Sequence, residues 1–109
     1  MANIYKNAKA DLNSTSEVTL YSTPSDSRAI VKSILLHNDS GSGADISMKV
    51  VDASSAEFPI FTQLSTTART TTQILTEPLI LQESEALKCT ASVADRLLVI
   101  VSILEINRD

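Results

Sequence analysis

Apolar and polar residues alternate with a period of two along most of this chain, and no stretch sustains the 3.6-residue period of an amphipathic helix. Strands are therefore the predicted elements. "EVTLYS" sets Val18 and Leu20 against Thr19 and Tyr21, a half-buried strand. "RAIVKSILLHN" sets Ile30, Ile34 and Leu36 with Lys32 against Val31 and Leu35 with Ser33 and His37, and is expected at the centre of a sheet. "ADISMKVV" opposes Ile46, Met48 and Val50 to Asp45, Ser47 and Lys49. In "EFPIFTQL" Phe58, Ile60 and Leu64 share a side, but Pro59 has no N–H to give a ladder, which predicts an edge strand or bulge. "RTTTQILT", "PLILQ" and "ALKCTAS" follow, the last pointing Leu87, Cys89 and Ala91 together.

The closing "LLVIVSILEINRD" carries a single hydroxyl, Ser102, between Leu97 and Ile103. It predicts an interior strand over Leu97 to Ile106, paired on both sides, with one face on the core. Its other face must be covered by a loop, a terminal segment or another subunit. Period two places Ile34, Ile46, Leu87 and Ile100 inward.

Between these runs lie turn-forming residues. "STPSDS" offers Pro24, Asp26 and Ser27 for a turn. "NDSGSGAD" holds both glycines, Gly41 and Gly43, with Asn38 and Asp39, and is expected to be a hairpin loop. "DASSAE", "STTA" and "QESEA" are shorter polar connections. The pattern predicts an all-β fold over residues 1–109: a single small β-sandwich, jelly-roll-like or Ig-like, of about eight short antiparallel strands.

Composition narrows the function classes. With 4% aromatic residues and no Trp, the core must be aliphatic. For 11.7 kDa, surface scaling anticipates burial of about 65% of the extended-chain area, roughly 11,000 Å², enough for one core. A formal charge of −4 and scattered Lys and Arg argue against a nucleic-acid partner. The apolar C-terminal run falls well short of the ~20 residues that span a bilayer, and the N-terminus lacks a signal-peptide pattern, so no membrane partner is expected. Cys89 is the single cysteine, which rules out an intrachain disulfide and points to a buried thiol made in a reducing compartment.

The chain is poor in catalytic constellations. His37 is the sole histidine and Cys89 has no soft ligand near it in sequence. The serines lie in no nucleophile-elbow pattern. Asp39 and Asp45 flank the glycines without the oxygen-ligand spacing of a calcium loop, and "GSG" lacks the helix and lysine of a phosphate cradle. No catalytic, metal-ligating or cofactor-binding residue is assigned, no cofactor is expected, and the chain reads as a non-enzyme.

The order "IYKNAKADL", "EVTLYSTPSDSRAIVKSILLHNDSGSGADISMKVVD", "TEPLILQESEALKCTAS" and "LLVIVSILEI" resembles small structural proteins of tailed bacteriophages, particularly those of marine bacteria and cyanobacteria. The resemblance covers nearly the whole chain, although the glycine–aspartate turn common before the leucine of the third motif is replaced here by Ser84 and Glu85. It implies a virion β-sandwich, synthesised in the host cytoplasm, that forms homo-oligomers and binds other virion proteins. Those partners would be the major capsid protein, for a capsid decoration or cement protein, or tail and neck proteins, for an adaptor of the tail, neck or fibre attachment. A carbohydrate-binding module of a host-recognition device is a separate alternative, weakened by the shortage of aromatic stacking faces.

The N-terminal "MANIYKNAKADLN" has Ile4 and Tyr5 as its large apolar groups beyond the initial Met and Leu12. That is too little apolar area to offset about 1–2 kcal/mol of backbone entropy per residue, so the segment must be held from outside. It is expected either to add a strand to its own sheet or to lie, over residues 1–10, as an arm on a neighbouring subunit. In the second case Ile4 and Tyr5 are interface residues.

Overall fold

The alternating segments form nine β-strands among the residues described by the computed structural model, 2–75 and 77–107. They are β1 (Ala2–Leu12), β2 (Val18–Ser22), β3 (Ser27–Asn38), β4 (Ala44–Val51), β5 (Glu57–Thr66), β6 (Thr71–Gln73), β7 (Leu79–Leu81), β8 (Ala86–Ala91) and β9 (Leu97–Asn107). Thr76, the last residue of "RTTTQILT", lies outside the described residues.

The strands make two antiparallel sheets. The first runs β1-β9-β3, with β6 and β7 sharing the far side of β3; the second runs β2-β8-β4-β5. Each strand in the first half of the chain pairs with its mirror image in the second half: β1 with β9, β2 with β8, β3 with β6 and β7, β4 with β5. The chain is thus one long hairpin with its tip between β4 and β5, rolled so that successive strand pairs fall in opposite sheets. This is the jelly-roll arrangement. An Ig-like sandwich would pair sequence neighbours at several points, whereas here β4–β5 is the only such pair among the described strands.

The core between the sheets is aliphatic: Ile34, Ile46 and Leu87 are fully buried, as are Val31, Leu81 and Val101. Each Leu or Ile so placed stabilises the fold by about 1.5–3 kcal/mol. β9 is paired on both sides, with β1 along its whole length and with β3, as its apolar run predicted. Its inward residues are Leu97, Val99, Val101, Ile103 and Glu105. Ile100, expected inward, instead points away from the core and is 43% exposed. A strand apolar on both faces carries no internal signal of which face is buried; neighbours decide, and here Ala8, Ala10 and Leu12 of β1 face the core beside Val101, Val99 and Leu97.

β3 corrects the period-two pairing of its residues. Val31 opposes Ile103 and Ser33 opposes Ser102, which leaves Lys32 as an extra residue in a β-bulge. The bulge switches the buried parity from Ala29 and Val31 to Ile34 and Leu36. Ile30 therefore faces out although Ile34 faces in. A second bulge in β2, between Thr19 and Tyr21, lets Leu20 and Tyr21 both enter the core.

"NDSGSGAD" is not a hairpin loop: it carries the chain from β3 in the first sheet to β4 in the second. Its anchor is Asn38, fully buried, whose Nδ2 donates to Ser42 O (2.9 Å) and Thr66 Oγ1 (3.2 Å) while its Oδ1 accepts from Ser40 N (3.0 Å) and Ser40 Oγ (2.9 Å). Neither glycine has positive φ; a Cβ on Gly43 would lie 3.1 Å from Thr66 O, so close approach is its reason. The real hairpin turn is "DASSAE", where Asp52 Oδ1 accepts from the backbone N–H groups of Ser54 and Ala56, both at 2.9 Å. β5, with Pro59, lies at the edge of its sheet as predicted.

Candidate interaction surface

The two sheets turn very different outer faces to their surroundings, and the ladder registers fix which residues stand on each. On the first sheet, residues directly opposite one another form rows across the strands. One row is Tyr5, Leu104, Ile30 and Ile80, on β1, β9, β3 and β7. A second begins with Lys9 and continues through Ile100 and Leu35 to Gln73. Between them runs a polar row of Asn7, Ser102 and Ser33. Tyr5 is 78% exposed and Ile80 64% exposed; Leu104 and Ile30 between them are partly covered.

The bulge at Lys32 builds this face. Without it Ile30 would share the inward parity of Ile34, and the row through Leu104 would be broken. Shallow depressions flank the rows: one of about 450 Å³ is bordered by Tyr5, Asn7, Lys32 and Ser102, and one of about 270 Å³ by Lys9, Leu98 and Ile100. Scattered apolar residues are ordinary on a protein surface, but here the exposed ones stand in register across the strands of one sheet face. No described segment of the chain lies over these rows, which answers what covers the second face of β9: nothing within the described residues.

The second sheet presents charge instead. Lys49 opposes Lys88 directly in the β4–β8 ladder, a like-charge pair that would destabilise the sheet on its own. Glu17 and Glu57 offset it: Lys49 Nζ lies 2.6 Å from Glu17 and 3.0 Å from Glu57, and Lys88 Nζ 3.8 Å from Glu17. The hydrogen bond from Lys49 lowers the Glu17 pKa, and the Glu17 and Glu57 carboxylates raise that of Lys49. A face of compensated charges is comfortable in water.

Ile4 and Tyr5 do not share a surface. Tyr5 opposes Leu104 on the outer face, while Ile4 opposes Glu105 on the inner side, at the rim of the core, and is 45% exposed. β1, on which both sit, belongs to the chain's own sheet. His37 stands half-buried at the end of β3, with Nδ1 2.8 Å from Thr71 Oγ1 and Nε2 3.6 Å from Asp39 Oδ1. Cys89 is buried between the sheets, and burial, with the nearby Glu17 charge, pushes its thiol up to about 11, which keeps it protonated and unreactive. Among the described residues no group of three or more His, Cys, Asp or Glu is placed to hold a metal.

The row through Ile30, Ile80 and Leu104 went unread in the sequence. The doubly apolar β9 signalled that a second face needed cover, but the bulge that brings Ile30 into line has no composition signature.

No protein-family model and no curated protein matches the sequence. Solved structures do. The fold is shared with a chain of infectious bursal disease virus. That chain, from the Gx strain, aligns over 94% of this protein with a TM-score of 0.54 and 12% identity. This protein spans only 28% of its length, and at such identity the likeness is one of fold. Weaker matches include a virus-like particle of the Macrobrachium rosenbergii extra small virus (13% identity, 100% of this chain and 82% of that one, TM-score 0.48). Another is a pentameric capsid protein isolated from metagenomic phage sequences (18% identity, 94% and 60%, TM-score 0.43).

Proposed function

We propose that the protein is a non-enzymatic structural component of a bacteriophage virion, present in many copies and docked on other virion subunits through the outer face of the β1-β9-β3 sheet. The observation that carries this reading is the uncovered row Tyr5, Leu104, Ile30 and Ile80, set against a second sheet whose outer face is neutralised by ion pairs. Such a molecule has one side suited to burial and one suited to water. The jelly-roll fold shared with the infectious bursal disease virus chain supports it, as does the sequence resemblance to small tailed-phage structural proteins.

Within that class the first choice is a capsid decoration or cement protein bound to the major capsid protein. A flat sheet face fits a shell surface, and Tyr5 supplies the aromatic anchor favoured at interface centres. The carbohydrate-module alternative requires aromatic platforms, and the apolar rows contain one aromatic residue, Tyr5. The test is to separate heads from tails of particles carrying this chain and assay each fraction by mass spectrometry. Recovery with heads supports the decoration role, recovery with tails moves the protein to the neck or tail, and absence from both overturns the virion reading.

A further inference from the structure

A sandwich has four sheet edges, and three of these are blunted. β5 carries Pro59, register shifts opposite Met48, and Gln63 in a left-handed conformation (φ 52°). β2 has five residues and a bulge. The β3 side of the first sheet is closed by two three-residue strands, β6 and β7. β1 is the longest regular edge, with eleven residues, no proline and an unbroken register with β9; it carries two lysines, of which the inward-pointing Lys6 is neutralised by Glu105. Long regular edges of this kind recruit further strands unless something blocks them.

The direction of the free backbone groups follows from one hydrogen bond. Asp95 N, at the entrance to β9, donates to Leu12 O at 2.9 Å, so even-numbered residues of β1 turn their N–H and C=O towards β9. Asn3, Tyr5, Asn7, Lys9 and Asp11 therefore turn theirs to the open edge, and of these groups only Asp11 O has a backbone partner among the described residues, Asn13 N at 2.9 Å. The side chains of β1 add a second observation. Ile4 and Tyr5 are its exposed large apolar residues, and they project to opposite faces of the sheet. A partner lying on either face would cover one of them; a partner at the edge reaches both.

We propose that β1 pairs edge to edge, antiparallel, with β1 of a second copy about a two-fold axis beside Asn7. In this register Asn7 faces its own symmetry mate, Tyr5 faces Lys9 of the second copy, Asn3 faces Asp11, and on the inner side Ile4 faces Ala10. The hydrogen-bonding pairs join residues whose backbone groups point to the open edge, and of these only Asp11 O, in the outermost pair, already accepts a bond, from Asn13 N. No like charges oppose: Lys9 lies beside a tyrosine ring, where its stem and its charge are both favourable. Shifting the axis by one residue along the strand, to Lys6, would set Lys6 against itself, and Lys6 is already held at 3.1 Å from Glu105. The edge is thus self-complementary, as a two-fold interface requires. The result is a continuous sheet through both copies whose apolar rows lie side by side. This pairing is independent of the virion reading, since it concerns the purified chain in solution.

Sedimentation of the full chain at micromolar concentration is expected to show a dimer. Asn7→Pro removes an N–H that β9 does not use, and should weaken dimerisation on the order of tenfold or more with an unchanged circular dichroism spectrum. Because that variant could fail to fold, Asn7→Cys gives a second reading. Its thiols lie at the axis with Cα atoms about 5.5 Å apart and should cross-link on mild oxidation, whereas those of Asn3→Cys lie about 27 Å from each other and should not. A chain monomeric up to near-millimolar concentration, an Asn7→Pro protein that dimerises as well as the parent, or equal cross-linking at both positions would overturn the proposal.

Discussion

The Tyr21 hydroxyl donates to Glu105 Oε2 at 2.5 Å and thereby joins β2 of one sheet to β9 of the other. Lys6 of β1 completes the cluster, with its Nζ 3.1 Å from the same oxygen and 5.7 Å from the Tyr21 ring centre. The cluster thus ties the paired strands β1 and β9 of the first sheet to β2 of the second at the thin end of the core. The Tyr21 hydrogen bond, with help from Lys6, holds the Glu105 carboxyl below its ordinary value near 4.5 even though burial pushes the other way. A carboxyl lowered in the folded state contributes stability that is fully present above the unfolded value and is lost as pH falls through the folded one. The acid limb of the stability curve should therefore begin below about pH 4.5. Burial and the Glu105 charge act on Tyr21 in the other direction, raising it above its ordinary 10, so an alkaline decline begins there. Tyr21→Phe should cost about 1.5–3 kcal/mol at neutral pH, the worth of a hydrogen bond to a buried charge. Its acid limb should also be shallower, because Glu105 is then lowered less, so the two stability curves converge as pH falls below about 4.5. Melting temperatures across pH for both proteins check this, and superimposable curves would count against the cluster. Lys6 is 42% exposed, so solvent screens its share and Lys6→Ala should matter much less.

Neighbouring residues on β9 make opposite predictions. Ile103 is 1% exposed and Ile100 faces outward, so Ile103→Ala should cost about 2–5 kcal/mol and Ile100→Ala under about 1. Chemical denaturation of the two variants side by side measures the difference. Equal losses would mean that the inward parity of β9 is misassigned.

These residues also show how far the sequence could be read. Alternation located most of the strands because most are buried on one face, and it placed Ile34, Ile46 and Leu87 correctly; the weakly alternating β1 reads as either a strand or an arm. It failed at Ile100 because both faces of β9 are apolar, and at Ile30 because one inserted residue, Lys32, reverses the parity of everything before it. The hairpin predicted at Gly41 and Gly43 failed for a different reason. Turn-forming residues mark a reversal of the chain but not whether the next strand returns to the same sheet, which a buried side chain such as Asn38 decides. The apolar outer rows are a property of register across four strands, and register is absent from any one segment.

Ser84 sits at φ 64° in the turn closed by Glu85 N to Gln82 O at 3.1 Å, a left-handed position where glycine carries no Cβ penalty. Ser84→Gly should stabilise the fold by about 0.5–1 kcal/mol, the relief of the strained backbone less the extra entropy of the unfolded chain. A raised melting temperature is the expected reading; a lowered one would show that Ser84 makes a compensating contact.

The two outer faces give the sharpest separation between folding and docking. Ile80 is 64% exposed and makes little of the core, so Ile80→Asp should melt within a few degrees of the parent. A carboxylate in the row of Tyr5, Leu104 and Ile30 would nonetheless have to be buried unpaired in any complex formed through that face, at a cost large enough to abolish binding. Lys49→Ala changes the opposite face, where the side chain is paired but solvated, and should leave binding intact. Incorporation of the three proteins into particles, quantified by mass spectrometry, decides it. Loss with Ile80→Asp and retention with Lys49→Ala place the docking surface on the β1-β9-β3 sheet, while the reverse pattern would move it to the charged face and leave the apolar rows without a role in assembly.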